Sequence, residues 1–159
     1  MVRREASLGT RRAPARAVEL RMLEGAGARS LVWIVEDEPA ASSLAVELCD
    51  SRGLAAVVFP DPLPYLAALR ADPPPAAIIL DWRLERELSA ALFMATRHRL
   101  PRTPVMYWTG SPVDQLPAMI RQDLHTVIVD KAAGTLAFDA ALAWALTASV
   151  EEPLEAAND

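Results

Sequence analysis

Apolar and polar positions fall into alternating blocks along the chain. Leu31 to Val35 is an unbroken apolar run of strand formers and reads as a buried strand. Glu38 and Pro39 then open a helix, with proline early and acids in its first turn. Leu44, Leu48 and the alanines between them form its apolar face, and Gly53 closes it. Leu54 to Phe59 is a second strand, and Asp61 with Pro62 caps a second helix that ends before Pro73, Pro74 and Pro75. Ala76 to Leu80 is a third strand, apolar throughout, as expected for a central parallel strand covered on both faces. A third helix fits residues 86–99, and Pro101 and Pro104 bracket a loop before a fourth strand, Val105 to Trp108. Residues 112–122 read as a poor helix broken by Pro117. Thr126 to Val129 is a fifth strand, and a last helix runs from Gly134 and Thr135 to about Ser149.

Five strand–helix repeats without an internal sequence repeat or linker predict an α/β domain over residues 30–150. Its core is a five-stranded parallel sheet, doubly wound, with helices on both faces in a three-layer sandwich. Ligands of such sheets bind at the carboxyl ends of the strands, so the residues that follow each strand carry the information. Strand one ends in Glu36, Asp37 and Glu38, strand three in Asp81, strand four in Thr109 and Gly110, strand five in Asp130 and Lys131. Clustered carboxylates repel one another unless a cation neutralises them. Oxygen ligands with room for water suit Mg²⁺, which commonly pairs carboxylates with phosphate. A carboxylate can be the nucleophile that forms an aspartyl-phosphate, and a hydroxyl and an ammonium can then hold the phosphoryl oxygens. Each feature alone has an ordinary structural explanation: a helix cap for Asp81, a solvated charge for Lys131. Four of them in order on four strand ends favour the functional one.

Composition sharpens the lysine. Fifteen of the sixteen basic residues are Arg, and Lys131 is the single Lys. A compact ammonium on a flexible stem differs chemically from a planar fork, so a chain that otherwise uses Arg is expected to keep Lys131 for a reason. Net charge is -5 but unevenly spread: residues 1–30 hold seven Arg against Glu5, Glu19 and Glu24, and the remainder is acidic. Such an arm could touch nucleic acid or a membrane surface. Lacking aromatics and apolar periodicity, residues 1–29 are instead expected to be a disordered extension, with Met22 a candidate later start, and neither nucleic acid nor membrane is expected as a partner. Residues 151–159 form a polar tail. No apolar run reaches the ~18 residues that cross a bilayer. Cys49 cannot form an internal disulfide, reads as a small hydrophobe on a helix, and fits a reducing cytoplasm.

At this point a family resemblance is visible. Val35-Glu36-Asp37-Glu38-Pro39 resembles the signature at the end of strand one in two-component response regulator receiver domains of the CheY-like kind. Ile78 to Trp82 resembles the strand that carries the phosphoacceptor, Val105 to Gly110 the strand ending in the switch Thr/Ser, and Val127 to Lys131 the strand ending in the family's lysine. The resemblance covers residues 30–150. It implies the flavodoxin-like (βα)5 fold and Asp81 as phosphoacceptor. It implies Glu36 and Asp37 as the metal acids, with Asp37 the direct ligand, Thr109 and Lys131 as phosphate readers, and the Arg83 backbone carbonyl completing the Mg²⁺ shell. It implies a histidine kinase or phosphotransfer protein as donor and a downstream protein as target. With no effector domain expected after residue 150, the chain is expected to act as a single-domain regulator through protein–protein contacts. It is expected to be a phosphoacceptor and not an enzyme.

Three departures stand out. Ala132 occupies the place of the family's proline after the lysine, Ile128 that of its strand-five aromatic, and Glu85-Arg86-Glu87 that of its turn after the phosphoacceptor. They leave open whether Trp108 or Tyr107 replaces the aromatic, and keep a second reading alive, a pseudo-receiver that binds partners without phosphorylation. Enzyme readings fit less well. A haloacid-dehalogenase-type phosphatase needs an acid where Arg83 stands. Glu36-Asp37-Glu38 would repel a dinucleotide pyrophosphate, and His98 and His125 read as surface residues. The last helix has one charge, Asp139, between Gly134 and Val150. Phe138, Leu142, Ala145 and Leu146 form its core stripe, and the Trp144 face is expected to serve a homodimer or a docked partner.

Overall fold

The computed structural model describes residues 29–85 and 87–150. The basic extension up to residue 28 and the tail 151–159 lie outside the described residues. The strands are β1 (Leu31–Val35), β2 (Ala55–Phe59), β3 (Ala77–Leu80), β4 (Arg83–Leu84), β5 (Glu87–Leu88), β6 (Val105–Thr109) and β7 (Thr126–Asp130). The α-helices are α1 (Pro39–Ser51), α2 (Pro62–Ala71), α3 (Ala90–Arg99), α4 (Ala118–Arg121) and α5 (Thr135–Val150). Two 3₁₀ turns, Val113–Gln115 and Lys131–Ala133, precede α4 and α5.

The five long strands form one parallel sheet in the order β2-β1-β3-β6-β7, and β4 and β5 make a separate antiparallel hairpin. Both faces of the sheet are covered. Trp33, Val35, Ile78, Leu80, Val105 and Tyr107 point to one face and pack with α2, α3 and α4 through residues such as Tyr65, Phe93 and Ile120. Val32, Ile34, Ile79, Met106 and Trp108 point to the other, against Ala45 and Cys49 of α1 and Phe138 and Leu142 of α5. The period-two alternation of two apolar sets is why these strands read as continuous apolar runs.

Register aligns the strand ends. Val35 pairs with Leu80, Leu80 with Tyr107, and Thr109 with Asp130. Glu36, Asp81, Gly110 and Lys131, each the next residue along, are therefore brought to one edge of the sheet.

Several local expectations need correction. α1 buries Ala45 and Cys49, while Leu44 is 38% exposed; the small residues face the sheet and let the helix approach it closely. No acid lies in the first turn of α1: Glu38 is its N-cap, and Glu36 and Asp37 stay outside the helix. The third helix starts at Ala90, not 86, because Arg83–Leu84 pairs with Glu87–Leu88 as a hairpin. The local reason is an alternation, Trp82 and Leu84 buried against Arg83 and Glu85 exposed, which is a strand period and not a helical one. Pro117 caps α4 instead of breaking a longer helix, and Pro112 does the same for the 3₁₀ turn before it. In α5 the expected core stripe holds: Phe138, Leu142 and Ala145 are buried and Leu146 is partly so. Leu136, Ala140, Trp144 and Thr147 face outward.

Candidate functional site

Four strands deliver the site. From β1, Glu36 is 2% exposed. Its Oε1 accepts from the Glu38 N–H at 3.0 Å and its Oε2 from Lys131 Nζ at 2.6 Å. From β3, Asp81 is also buried, and its Oδ2 accepts from Lys131 Nζ at 3.2 Å. From β7, Lys131 lies with its ammonium 5.3 Å from the centroid of the Trp108 ring, a cation–π contact. Trp108 is in turn set by an edge contact to Phe138 of α5 at 5.1 Å. The single lysine therefore sits among two carboxylates and an aromatic face, where the wider guanidinium of Arg would have to displace one of them.

From β6, Thr109 is 1% exposed and its Oγ1 accepts from the Ser111 N–H at 3.1 Å. A Cβ built on Gly110 would meet nothing within 4 Å, so open space lies beside the Asp81 edge. That space belongs to a cleft of about 420 Å³ lined by Asp81, Arg83, Thr109, Gly110, Ser111 and Lys131. A larger groove of about 780 Å³ at the amino ends of the strands, between Pro74 and Arg102, is lined by no carboxylate among the described residues.

Burial pushes the Glu36 carboxyl above its ordinary range, and the Lys131 and Glu38 bonds only partly oppose this. Burial alone would lower the Lys131 ammonium, but its bond to Glu36 and the Asp81 charge outweigh that and hold it raised. The cation is thus fixed as a cation.

The acids fit a divalent ion. Glu36, Asp37 and Asp81 each offer an oxygen within 4.8 Å of the others. Asp81 Oδ1 is buried and has no hydrogen-bond partner among the described residues, an acceptor left open in a protein that otherwise fills such positions. Glu36 has both oxygens engaged, so Asp37 and Asp81 are the acids that could hold an ion directly. Arg83, expected to add its carbonyl, is exposed on β4 and lines the same cleft.

The departures have local explanations. The Ala132 N–H donates to Asp130 Oδ1 at 2.8 Å and holds the turn after Lys131, a bond that proline could not make. Ile128 is half-buried and pairs in register with Tyr107. Tyr107 is fully buried, packs on Phe93 at 6.0 Å, and its hydroxyl accepts from Ser89 Oγ at 3.3 Å. An aromatic therefore stands beside the Ile128 position, on the neighbouring strand. Burial drives the Tyr107 phenol well above its ordinary value, so it stays a neutral donor or acceptor. His98 is exposed and His125 half-buried, and neither lines the cleft. One contact at the site has no sequence signal: the Glu85 backbone N–H, at the hairpin tip, donates to Asp37 Oδ2.

No protein-family model matches the sequence, and no curated protein does. Solved structures match the fold. A CheY-like receiver domain protein from Methanospirillum hungatei JF-1 is 13% identical with a TM-score of 0.69, over 79% of this chain and 99% of its own. The receiver domain of a LuxO repressor protein from Vibrio parahaemolyticus is 18% identical with a TM-score of 0.68, over 80% and 98%. This chain has the CheY-like receiver fold. The receiver domain of a sensor histidine kinase from Pseudomonas aeruginosa PAO1 shares the fold too, at 16% identity and a TM-score of 0.63 over 76% of this chain and 99% of that one. That domain holds a magnesium ion in its active-site cleft. At these identities the likeness establishes the receiver architecture and leaves the chemistry to the residues.

Proposed function

We propose that this receiver-fold protein is a response regulator that accepts a phosphoryl group on Asp81 in a two-component phosphorelay, and is a phosphoacceptor and not an enzyme acting on other substrates. The observation that carries the reading is the buried Asp81 Oδ1, unpartnered among the described residues, on a side chain that lines the cleft and has the fixed cation Lys131 on its other oxygen.

In the transfer, an Asp81 oxygen attacks phosphorus. The new O–P bond forms as the bond to the donor breaks, and the electron pair leaves with the donor, the imidazole nitrogen of a phosphohistidine or the acyl oxygen of a small phosphodonor. Mg²⁺ held by Asp37, Asp81 and the Arg83 carbonyl, with Glu36 behind them, would offset the charge of the carboxylates and phosphoryl oxygens. Lys131 supplies a positive charge that need not be recruited during the reaction, because Glu36 and Trp108 already hold it. The Thr109 hydroxyl lines the cleft and is a donor for a phosphoryl oxygen, and Gly110 leaves room for the group.

Partners follow from the same reading: a histidine kinase or phosphotransfer protein as donor, and a protein target read through the phosphorylated edge. Among the described residues no helix is long and apolar enough to cross a membrane. With its free cysteine buried, the chain suits a reducing cytoplasm. The outward face of α5, with Leu136 83% and Trp144 38% exposed, is part of the proposal as a homodimer or docking surface. Trp144→Glu is expected to abolish self-association measured by sedimentation; unchanged self-association and partner binding remove α5 from the proposal.

The test of the central claim is a mass spectrum after incubation with acetyl phosphate and Mg²⁺. Wild-type protein is expected to gain one acid-labile phosphoryl group. Asp81→Asn is expected to gain none, with its circular dichroism and melting temperature preserved. Wild-type labelling at the same rate in Asp81→Asn overturns the assignment.

A further inference from the structure

Resting on the phosphoacceptor reading, we propose that the β4–β5 hairpin is the positioning element of the Asp37 carboxylate, with Glu85 acting through its backbone N–H. A ladder of two residue pairs, Arg83 with Leu88 and Leu84 with Glu87, is too short to be stable alone. Its geometry comes from its anchors. The Ser89 N–H donates to the Trp82 carbonyl at 3.0 Å and closes the base. Trp82, Leu84 and Ser89 are all buried, and the first two lie in the core beneath α2 and α3. The tip is thus held from below, and there the Glu85 N–H donates to Asp37 Oδ2, a residue 48 positions away.

Two consequences follow. A hydrogen bond to one carboxylate oxygen selects the Asp37 rotamer and leaves the second oxygen free of that bond. The hairpin also starts two residues after Asp81, so one short segment is tied to both acids. The gap between the Asp37 and Asp81 carboxylates is set by this segment and not by β1 and β3 alone. Groups that orient a metal ligand from behind typically alter metal affinity by about 10- to 100-fold. Glu85 is accordingly a positioning residue through its main chain, and its exposed side chain is dispensable for this role.

The experiment is a calorimetric Mg²⁺ titration of the full chain and three variants, read alongside Trp fluorescence. Glu85→Pro, which lacks the N–H, is expected to bind Mg²⁺ about 10-fold more weakly. Glu85→Gln, which keeps it, is expected to stay within about threefold of wild type, since an exposed charge contributes little. Because proline could disturb the hairpin itself, amide exchange gives a second measure. The Glu85 amide is expected to be protected in wild type and to exchange freely in Asp37→Ala, while the Ser89 amide stays protected in both. Equal Mg²⁺ affinity in Glu85→Pro and Glu85→Gln, or equal Glu85 exchange in wild type and Asp37→Ala, overturns the proposal and leaves the phosphoacceptor reading standing. Wild-type Mg²⁺ affinity in Asp37→Ala instead overturns the metal site on which both rest.

Discussion

Two half-buried cations, Lys131 and Arg97, illustrate the difference between a site left open and one closed. Arg97, on α3, uses its whole fork. Its Nε and Nη2 bond the two Asp123 oxygens at 2.9 Å each, Nη2 also reaches the His125 carbonyl and Thr126 Oγ1 at 3.0 Å, and Nη1 reaches the Thr103 carbonyl at 2.7 Å and Leu100 at 3.3 Å. Asp123 is equally complete, accepting in addition from the His125 N–H at 2.9 Å and Thr126 Oγ1 at 2.8 Å. The cluster clamps the end of α3 to the loops before β6 and β7. Around Lys131 the charges do not balance: one ammonium serves Glu36 and Asp81, a third acid stands nearby, and Asp81, whose buried Oδ1 has no partner among the described residues, lines the cleft. Buried polar groups are normally satisfied because leaving one unpaired costs roughly 1–3 kcal/mol. The Arg97 cluster follows that rule and is structural. The Lys131 cluster departs from it, which a chain tolerates where a ligand supplies what is missing.

Exchanging the two cations sharpens the contrast. The largest effect on stability is expected from Arg97→Lys. A lysine keeps the charge but cannot reach Asp123, Thr126 and three carbonyls at once, so several half-buried acceptors lose their donor. The expected cost is roughly 2–3 kcal/mol, read as a lower urea midpoint with an unchanged slope. A midpoint within error of wild type would mean that the clamp contributes nothing. Phosphorylation on Asp81 is expected to proceed normally in this variant, because the clamp does not touch the cleft.

Lys131→Arg is expected to do the reverse. Charge is kept, and unfolding free energy is expected to change by less than about 1 kcal/mol. The guanidinium, however, cannot sit between Glu36, Asp81 and the Trp108 ring without moving one of them, so phosphoryl uptake from acetyl phosphate and the conformational response are expected to fall. Equal uptake and response in Lys131→Arg would show that the single lysine has no chemical reason.

Much of this contrast was legible in the sequence. The five strands and the order of acids, Thr109 and Lys131 at their ends follow from apolar runs and the residues after them, because a parallel sheet buried on both faces leaves little freedom in where each run ends. The Arg97 clamp was not legible. It joins residues separated by up to 29 positions, and three of its acceptors are backbone carbonyl groups, which any residue type carries. The hairpin was missed for a related reason. Its short alternation, Trp82 to Glu85, competes with a plausible helix start, and its decisive contact to Asp37 is made by a backbone N–H. The inner face of α1 is partly legible: Ala45 is buried and Leu48 packs against the core as expected, while Cys49 joins them and Leu44 does not. Ala45 and Cys49 are inside and Leu44 outside, since the sheet surface beneath already carries the bulk.

The smallest effect concerns pH and tests whether the Arg97 cluster is truly closed. Burial tends to raise the Asp123 carboxyl, but the Arg97, Thr126 and His125 donors outweigh it and hold it below its ordinary value of 3.8. A carboxyl whose folded value is depressed contributes stability that is fully present above its unfolded value and is lost as pH falls through the folded one. The clamp should therefore be intact at pH 6 and lose its electrostatic part below about pH 4. Asp123→Asn removes the titration but keeps the shape and one acceptor. Its deficit relative to wild type, read from urea midpoints, is expected to be clear at pH 6 and to shrink as pH falls below 3.8, where the unfolded chain takes up the proton first and the electrostatic contribution declines. A deficit of the same size at both pH values would mean that Asp123 acts through shape and neutral hydrogen bonds alone. Its charge would then do no more for Arg97 than the carbonyl groups of Leu100 and Thr103 already do.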